Sequence, residues 1–153
     1  MQIRKVAILG SGSWATALAK IVLTNQTEIN WFIRRQEAID EFVATGKNPS
    51  YLGAAEFDVS RIHFSTDINK VVSQSDVLIL AIPSPSVKQS LNKIRRNMTR
   101  KIVISAVKGM IPDDNLLVTD YLHTRFRIPT EQLGIIAGPC HAEEIALERL
   151  SYL

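Results

Sequence analysis

Gly10-Ser11-Gly12-Ser13-Trp14-Ala15 follows the apolar run Val6-Ala7-Ile8-Leu9 and opens an amphipathic run with Trp14, Leu18, Ile21 and Val22 on one face. A strand, a tight glycine turn and a helix in that order give the G-x-G-x-x-G/A spacing its structural context. Gly10 permits the sharp turn out of the strand, because a residue without Cβ tolerates positive φ. Gly12 has no side chain, so a diphosphate can approach the backbone, and Ala15 falls where helix and strand press together. The first unpaired N–H groups of the helix then face the phosphates, and the helix dipole favours their charge. The stretch predicts a dinucleotide-binding turn. The helix it opens, like the strand before it, belongs to an α/β fold.

Length and composition bound the answer. The chain has 153 residues, enough for one domain with its own core. Hydrophobic residues make up 46% and charged residues 22%, an ordinary globular balance that argues against disorder. The net charge of +3 is mild, and one anionic ligand accounts for it as well as nucleic acid does. Cys140 is the single cysteine, so no intrachain disulfide can form and the count suits a reducing compartment. Met1 to Lys5 runs straight into a strand, without a signal peptide, and no long apolar span follows. The expectation is a cytoplasmic protein that does not engage a membrane.

Along the chain, Ile3 to Leu9 is the first predicted strand. Its helix runs from about Ser13 to Leu23, with Asn25 as a stop. Glu28 to Ile33 is a second strand, in which Ile29, Trp31 and Ile33 alternate with Asn30 and Phe32. It ends at Arg34-Arg35. An acid about 20 residues past the glycines holds the ribose 2′-hydroxyl of NAD, whereas arginine accommodates the 2′-phosphate of NADP. Arg34 and Arg35 stand there without an acid, so the cofactor is NADP or NAD with NADP preferred.

Gln36 to Ala44 is predicted helical, with Ala38, Ile39, Phe42 and Val43 as apolar positions and Gly46 as its stop. Lys47 to Gly53 is a loop by its Pro and Gly content. Arg61 to Phe64 is a short strand, and Asp67 caps a brief helix through Val72. Asp76 to Ile82 is a buried strand ended by Pro83. Ser84 begins the next helix, with Pro85 tolerated in its first turn and Val87, Leu91 and Ile94 at helical spacing. Lys93, Arg95, Arg96, Arg100 and Lys101 cluster near its end. No aromatic residues interleave with them, so they read as a solvated face complementing the helix dipole, and no nucleic-acid partner is expected. Ile102 to Ala106 is another strand, followed by Val107-Lys108-Gly109. Asn115 to about Arg125 is predicted helical, with Leu116, Leu117, Tyr121 and Leu122 in register. Leu133 to Ala137 is the last complete strand. Gly138-Pro139-Cys140-His141-Ala142-Glu143-Glu144 enters a short helix, and Ser151-Tyr152-Leu153 opens a further strand.

Strands alternating with helices predict a doubly wound, mostly parallel sheet, the Rossmann fold. Ligands of such sheets bind outside the carboxyl ends of the strands. The loops converging there are Gly10 to Trp14, the segment after Ile82, Lys108-Gly109, and Gly138 to Ala142. Lys108 would bring an ammonium to the crevice, able to polarise a ketone oxygen or hold a phosphate. His141 beside Cys140 is not read as a nucleophilic pair, because sequence adjacency does not supply side-chain geometry. His63 and His123 lack ligand spacing, so no metal is expected.

The chain resembles the NAD(P)-dependent glycerol-3-phosphate dehydrogenases of the bacterial biosynthetic type. The matching pieces are Gly10 to Ala19, Asn48-Pro49-Ser50-Tyr51-Leu52, Ala81-Ile82-Pro83-Ser84, Val107-Lys108-Gly109 and Gly138 to Glu144, in that order along nearly the whole chain. The resemblance implies reduction of dihydroxyacetone phosphate to sn-glycerol 3-phosphate, the backbone precursor of phospholipids. It implies that Ser13 and Trp14 contact the cofactor near its diphosphate, and Arg34 and Arg35 its adenosine end. Lys108 would touch cofactor and substrate, Gly138 and Cys140 would place the substrate, and Ala142 would lie against the cofactor.

Two residues depart from the family pattern. Ala15 replaces the usual Gly, and Cys140 stands where Ser or Thr is common, a weaker hydrogen-bond donor. The family continues into a helical substrate domain carrying the general acid/base lysine and the phosphate grip. No catalytic residue is therefore expected within residues 1–153, which read as the cofactor-binding domain, binding nucleotide without turnover. An unpaired edge and an apolar face predict self-association or a homodimer. Two other readings stand beside this one. The first is a non-catalytic dinucleotide-binding regulator, which has no need of Lys108. The second is a related two-domain dehydrogenase with another substrate.

Overall fold

A computed structural model describes residues 5–138 and 141–147. Val6–Leu9 (β1), Ile29–Phe32 (β2), Ile62–Ser65 (β3), Val77–Leu80 (β4), Ile102–Ser105 (β5) and Leu133–Ile135 (β6) form one sheet in the order β3-β2-β1-β4-β5-β6. Every neighbouring pair is parallel. The helices are Ser13–Asn25 (α1), Gln36–Thr45 (α2), Ile68–Ser73 (α3), Ser84–Leu91 (α4), Val118–Phe126 (α5) and Ala142–Ala146 (α6). This is the doubly wound Rossmann order, and the point where the strand order reverses falls between β1 and β4.

Successive side chains of a strand point to opposite faces, and here both faces are covered. Val6, Ile8, Ile29, Trp31, Val77 and Ile79 pack with Ala15, Leu18, Ile39, Phe42 and Ala146 on one side of the sheet. Ala7, Leu9, Leu78, Leu80 and Val103 pack with Val71, Leu91, Val118 and Leu122 on the other. The continuous apolar runs of β1 and β4 follow from this, since all four residues of each are buried. Asn30, at an alternating position of β2, is buried too. Its amide donates to Ser75 Oγ at 2.9 Å and to the carbonyl of Gln74 at 3.2 Å.

Most predicted elements fall within a residue or two of their positions. Asp67 caps α3 by accepting from the N–H of Asn69, and Gly46 closes α2 in the left-handed conformation. Three details differ. Val43 is 51% exposed and lies off the apolar face of α2. α4 ends at Leu91, so Ile94 is buried from the following turn, where Asn69 Oδ1 accepts from the N–H of Arg95 and its amide donates to the carbonyl of Lys93. The helix predicted from Asn115 begins at Val118. An Ile111–Leu116 bridge and positive φ at Asp113 and Asn115 form a tight turn before it. Residues 3–4 of the first predicted strand, Cys140, and the strand predicted at Ser151–Leu153 lie outside the described residues. Among the described residues, no helix is long and apolar enough to cross a membrane, and no cluster of His, Cys, Asp or Glu could hold a metal.

Candidate functional site

The glycine turn sits where β1 and β4 diverge. Gly10 has φ +128°, and a Cβ built on it would stand 2.2 Å from the carbonyl oxygen of Ala81. The turn therefore requires glycine twice over, for its backbone angle and for the close approach of β4. Gly12 differs. Its backbone is ordinary extended, at φ −76°, and a Cβ there would meet nothing within 4 Å. The side-chain space of Gly12 is open.

Gly12 is the N-cap of α1, and no side chain caps it. No acidic residue occupies the first turn. The N–H and the Oγ1 hydroxyl of Thr16 both donate to the carbonyl of Gly12, at 3.0 and 2.9 Å. Among the described residues no side chain caps the leading amides of α1, so they can serve an external acceptor, with the positive end of the helix dipole behind them. Ala15 is fully buried against the sheet, as the small-residue slot of the motif requires.

Two cavities meet over this turn. One, of about 410 Å³, is lined by Gly12, Ser13, Trp14, Tyr51, Ala81 to Pro85, and Ala106 to Lys108. The other, of about 200 Å³, is lined by Gly10, Ser11, Gly12, Phe32, Arg34, Tyr51, Ile82, Pro83, Ser86 and Ser90. Together they trace a crevice along the carboxyl ends of β2, β1, β4 and β5. Lys108 is exposed, and its ammonium lies 5.6 Å from the centre of the Trp14 ring. A cation over an indole face is attracted by the ring quadrupole. The ring itself packs against the small cluster of Ala17, Ala142 and Ile145 between α1 and α6. Its Nε1 is buried without a partner among the described residues.

The predicted site residues divide. Gly12, Ser13, Trp14 and Lys108 come together in the larger cavity, and Gly10, Gly12 and Arg34 in the smaller. Arg35 is exposed, stands at the N-cap position of α2 without a side-chain capping bond, and lines neither. Ala142 is buried against α1 at the head of α6, and Gly138 is exposed just beyond β6. Pro83 lines the crevice in the segment after Ile82, where the sequence pointed, whereas Tyr51, Ser86 and Ser90 line it without having been named as site residues. The signal for Tyr51 was its place in the Asn48 to Leu52 piece. Ser86 and Ser90 carried none beyond lying a helical turn apart on α4.

Charge outside the crevice has local explanations. Lys93, Arg95, Arg96 and Arg100 are exposed on the turn leading into β5. Lys101 is drawn inward to donate to the carbonyl of Ser75, and burial lowers its pKa. The hydrogen bond from His63, at the far end of the sheet, lowers the pKa of Glu28.

Known proteins resemble the chain in sequence and fold. The family model described as NAD-dependent glycerol-3-phosphate dehydrogenase N-terminus matches residues 5–153. Glycerol-3-phosphate dehydrogenase (NAD(P)+) of Bacillus subtilis (strain 168) is 32% identical over 148 residues, covering 94% of this chain and 42% of that protein. The solved glycerol-3-phosphate dehydrogenase of Plasmodium falciparum superposes with a TM-score of 0.83 at 28% identity, over 96% of this chain and 44% of its own. That of Coxiella burnetii has the same fold, with a TM-score of 0.78 at 23% identity over 95% of this chain and 44% of its own. The chain spans about 42% of the length of the curated relatives it matches. With the glycine turn, the crevice and the family match over residues 5–153 agreeing, the chain belongs to the NAD-dependent glycerol-3-phosphate dehydrogenase N-terminus family.

Proposed function

We propose that this chain is the dinucleotide-binding domain of an enzyme that reduces dihydroxyacetone phosphate to sn-glycerol 3-phosphate with NADPH or NADH. The observation that carries the reading is Gly12. Its missing Cβ opens the head of α1 onto the same cavity that Lys108 enters. The residues fit a dinucleotide. The leading amides of α1 and the bare backbone at Gly12 suit a diphosphate, and Arg34 stands at the end of β2, where the adenosine ribose belongs. The nicotinamide, when bound, supplies the hydride.

The chain's own residues bind and orient. Ser13 and Trp14 line the diphosphate end of the larger cavity, and Trp14 seats the Lys108 ammonium. Lys108 offers positive charge to a substrate phosphate or to the ketone oxygen as it gains charge. Gly138 lies at the exit of β6, consistent with a backbone contact to substrate, and Cys140 and Ala142 follow it in sequence. The general acid/base lysine and the phosphate grip belong to a helical domain in the remainder of such proteins. The product is the backbone precursor of phospholipids. Arg34 favours NADPH over NADH.

Without general acid–base help a rate falls roughly 10²–10⁴-fold, so these 153 residues should bind cofactor and not turn over. A steady-state assay with NADPH and dihydroxyacetone phosphate, run beside cofactor titration, tests this. Binding without turnover is expected, and turnover at ordinary enzyme rates from this chain would contradict the assignment of catalysis to another domain. A regulator of the same fold would have no use for Lys108 in the crevice. The Lys108–Trp14 contact therefore favours the dehydrogenase.

A further inference from the structure

The loop from Asn48 to Leu52 is fastened to the glycine turn by one buried side chain. Asn48 is 5% exposed. Its Nδ2 donates to the carbonyl of Ser11 at 3.1 Å and to Thr16 Oγ1 at 2.8 Å. Its Oδ1 accepts from the N–H of Ser50 at 3.0 Å and of Tyr51 at 3.2 Å. The amide thus spends both hydrogens on the turn and its carbonyl on the loop, which is its full capacity. Leu52 packs against the α1–α6 cluster and accepts from the N–H of Ala55 at 2.8 Å, fixing the far end of the loop.

Between these anchors stands Tyr51, 47% exposed. It contributes little to the core, yet it lines both cavities and shares Gly12, Ile82 and Pro83 with each. Gly12, Tyr51, Ile82 and Pro83 are thus the residues at which the two cavities join. A large aromatic residue left exposed at the junction of two cavities, beside a backbone position that carries no side chain, suits a ligand-facing role. Core packing would have turned the ring inward.

We infer that Tyr51 is a cofactor-binding residue, held over the diphosphate position by Asn48. The inference rests on the dinucleotide reading of the crevice. The phenol hydroxyl can donate to a phosphate oxygen, and the ring would shield that contact from water. Asn48 is the positioning residue. It sets Tyr51 and the Ser11 carbonyl at a fixed separation before the ligand arrives, so less ordering is left to binding.

The test is calorimetric titration of NADPH and of NADH into the wild-type chain, Tyr51→Phe, Tyr51→Ala, Asn48→Ala and the Asn48→Ala/Tyr51→Ala double variant, with thermal unfolding of each. Tyr51→Ala should weaken both nucleotides about tenfold, the order of one charge-assisted hydrogen bond with its packing, at unchanged Tm. Tyr51→Phe should keep the shielding and lose only part of that. Asn48→Ala should weaken binding as well. The double variant should bind no more than about twofold worse than Asn48→Ala, the non-additivity expected of residues acting as a unit. Wild-type affinity in Tyr51→Ala overturns the inference, even if Asn48→Ala fails to fold. Additive losses in the double variant deny Asn48 its positioning role. If the wild type binds neither nucleotide, the dinucleotide reading itself fails, and the inference with it.

Discussion

The Nε1–H of Trp31 donates to the carbonyl of Gly10 across 2.7 Å. Trp31 is fully buried in β2, edge-on to Phe42 and Phe57 and stacked with Phe64. One indole therefore joins the aromatic core under α2 to the turn that shapes the crevice. Trp31→Phe removes that donor and leaves a void beside it. Losing a hydrogen bond at this part-buried carbonyl costs about 1 kcal/mol, and the lost volume adds to it. Chemical denaturation should show a loss of at least that size, with nucleotide affinity falling alongside.

Gly10→Ala should be worse for the fold than for the ligand. A positive φ alone costs a non-glycine residue about 1–3 kcal/mol, and the new methyl would also press on the Ala81 carbonyl 2.2 Å away. Either β4 shifts or the turn opens. Thermal unfolding checks this, and a Tm equal to wild type would mean that the turn is not as tight as described.

Arg34 and Arg35 should part company. Arg34 lines the smaller cavity, and Arg35 lines neither. Arg34→Ala is expected to weaken NADPH about tenfold, the order of one charge-assisted contact, and to leave NADH within about twofold. Arg35→Ala should change both by less. Competition binding of the two nucleotides measures each ratio.

Stability should fall at acid pH in part through Glu28. The hydrogen bond from His63 lowers its pKa in the folded chain, followed by the charge of the same ring. The folded value lies below the unfolded one, so the contribution is present above the ordinary glutamate range and is lost as pH falls through the lowered folded value. Glu28→Gln should flatten that part of the acid limb and leave neutral stability nearly unchanged, because the pair is exposed and weakly stabilising. Urea midpoints from neutral pH downward follow it.

Much of this was legible in the sequence because it depends on local pattern. The apolar runs, Gly10, Gly12, Asp67, Pro83 and Gly46 each act on their own neighbours, so element order and the crevice loops could be read directly. What escaped depends on contacts across the fold. Asn48 is 32 residues from its partner Thr16. Arg61 closes the end of α1 by donating to the carbonyls of Leu23, Gln26 and Thr27, which β3 brings within reach. Val43 has helical spacing yet is exposed, since α2 covers the sheet with a narrower face than its apolar residues suggest. The start of α5 slipped because apolar Leu116 and Leu117 continue its pattern, while the Ile111–Leu116 bridge claims the backbone there.

The central claim is that the space over Gly12 belongs to a dinucleotide diphosphate. Gly12→Val tests it most directly, because a Cβ at that position meets nothing within 4 Å and the backbone is ordinary. Valine is a poorer N-cap than glycine by roughly 1 kcal/mol, so Tm should drop by no more than about 4 °C. Calorimetric titration of NADPH into wild type and Gly12→Val should then show binding in the first and a loss of at least about a hundredfold in the second, as the side chain takes the place of the phosphates. Equal affinity in a folded Gly12→Val would contradict the account, since the glycine turn would then be a turn and not a cradle.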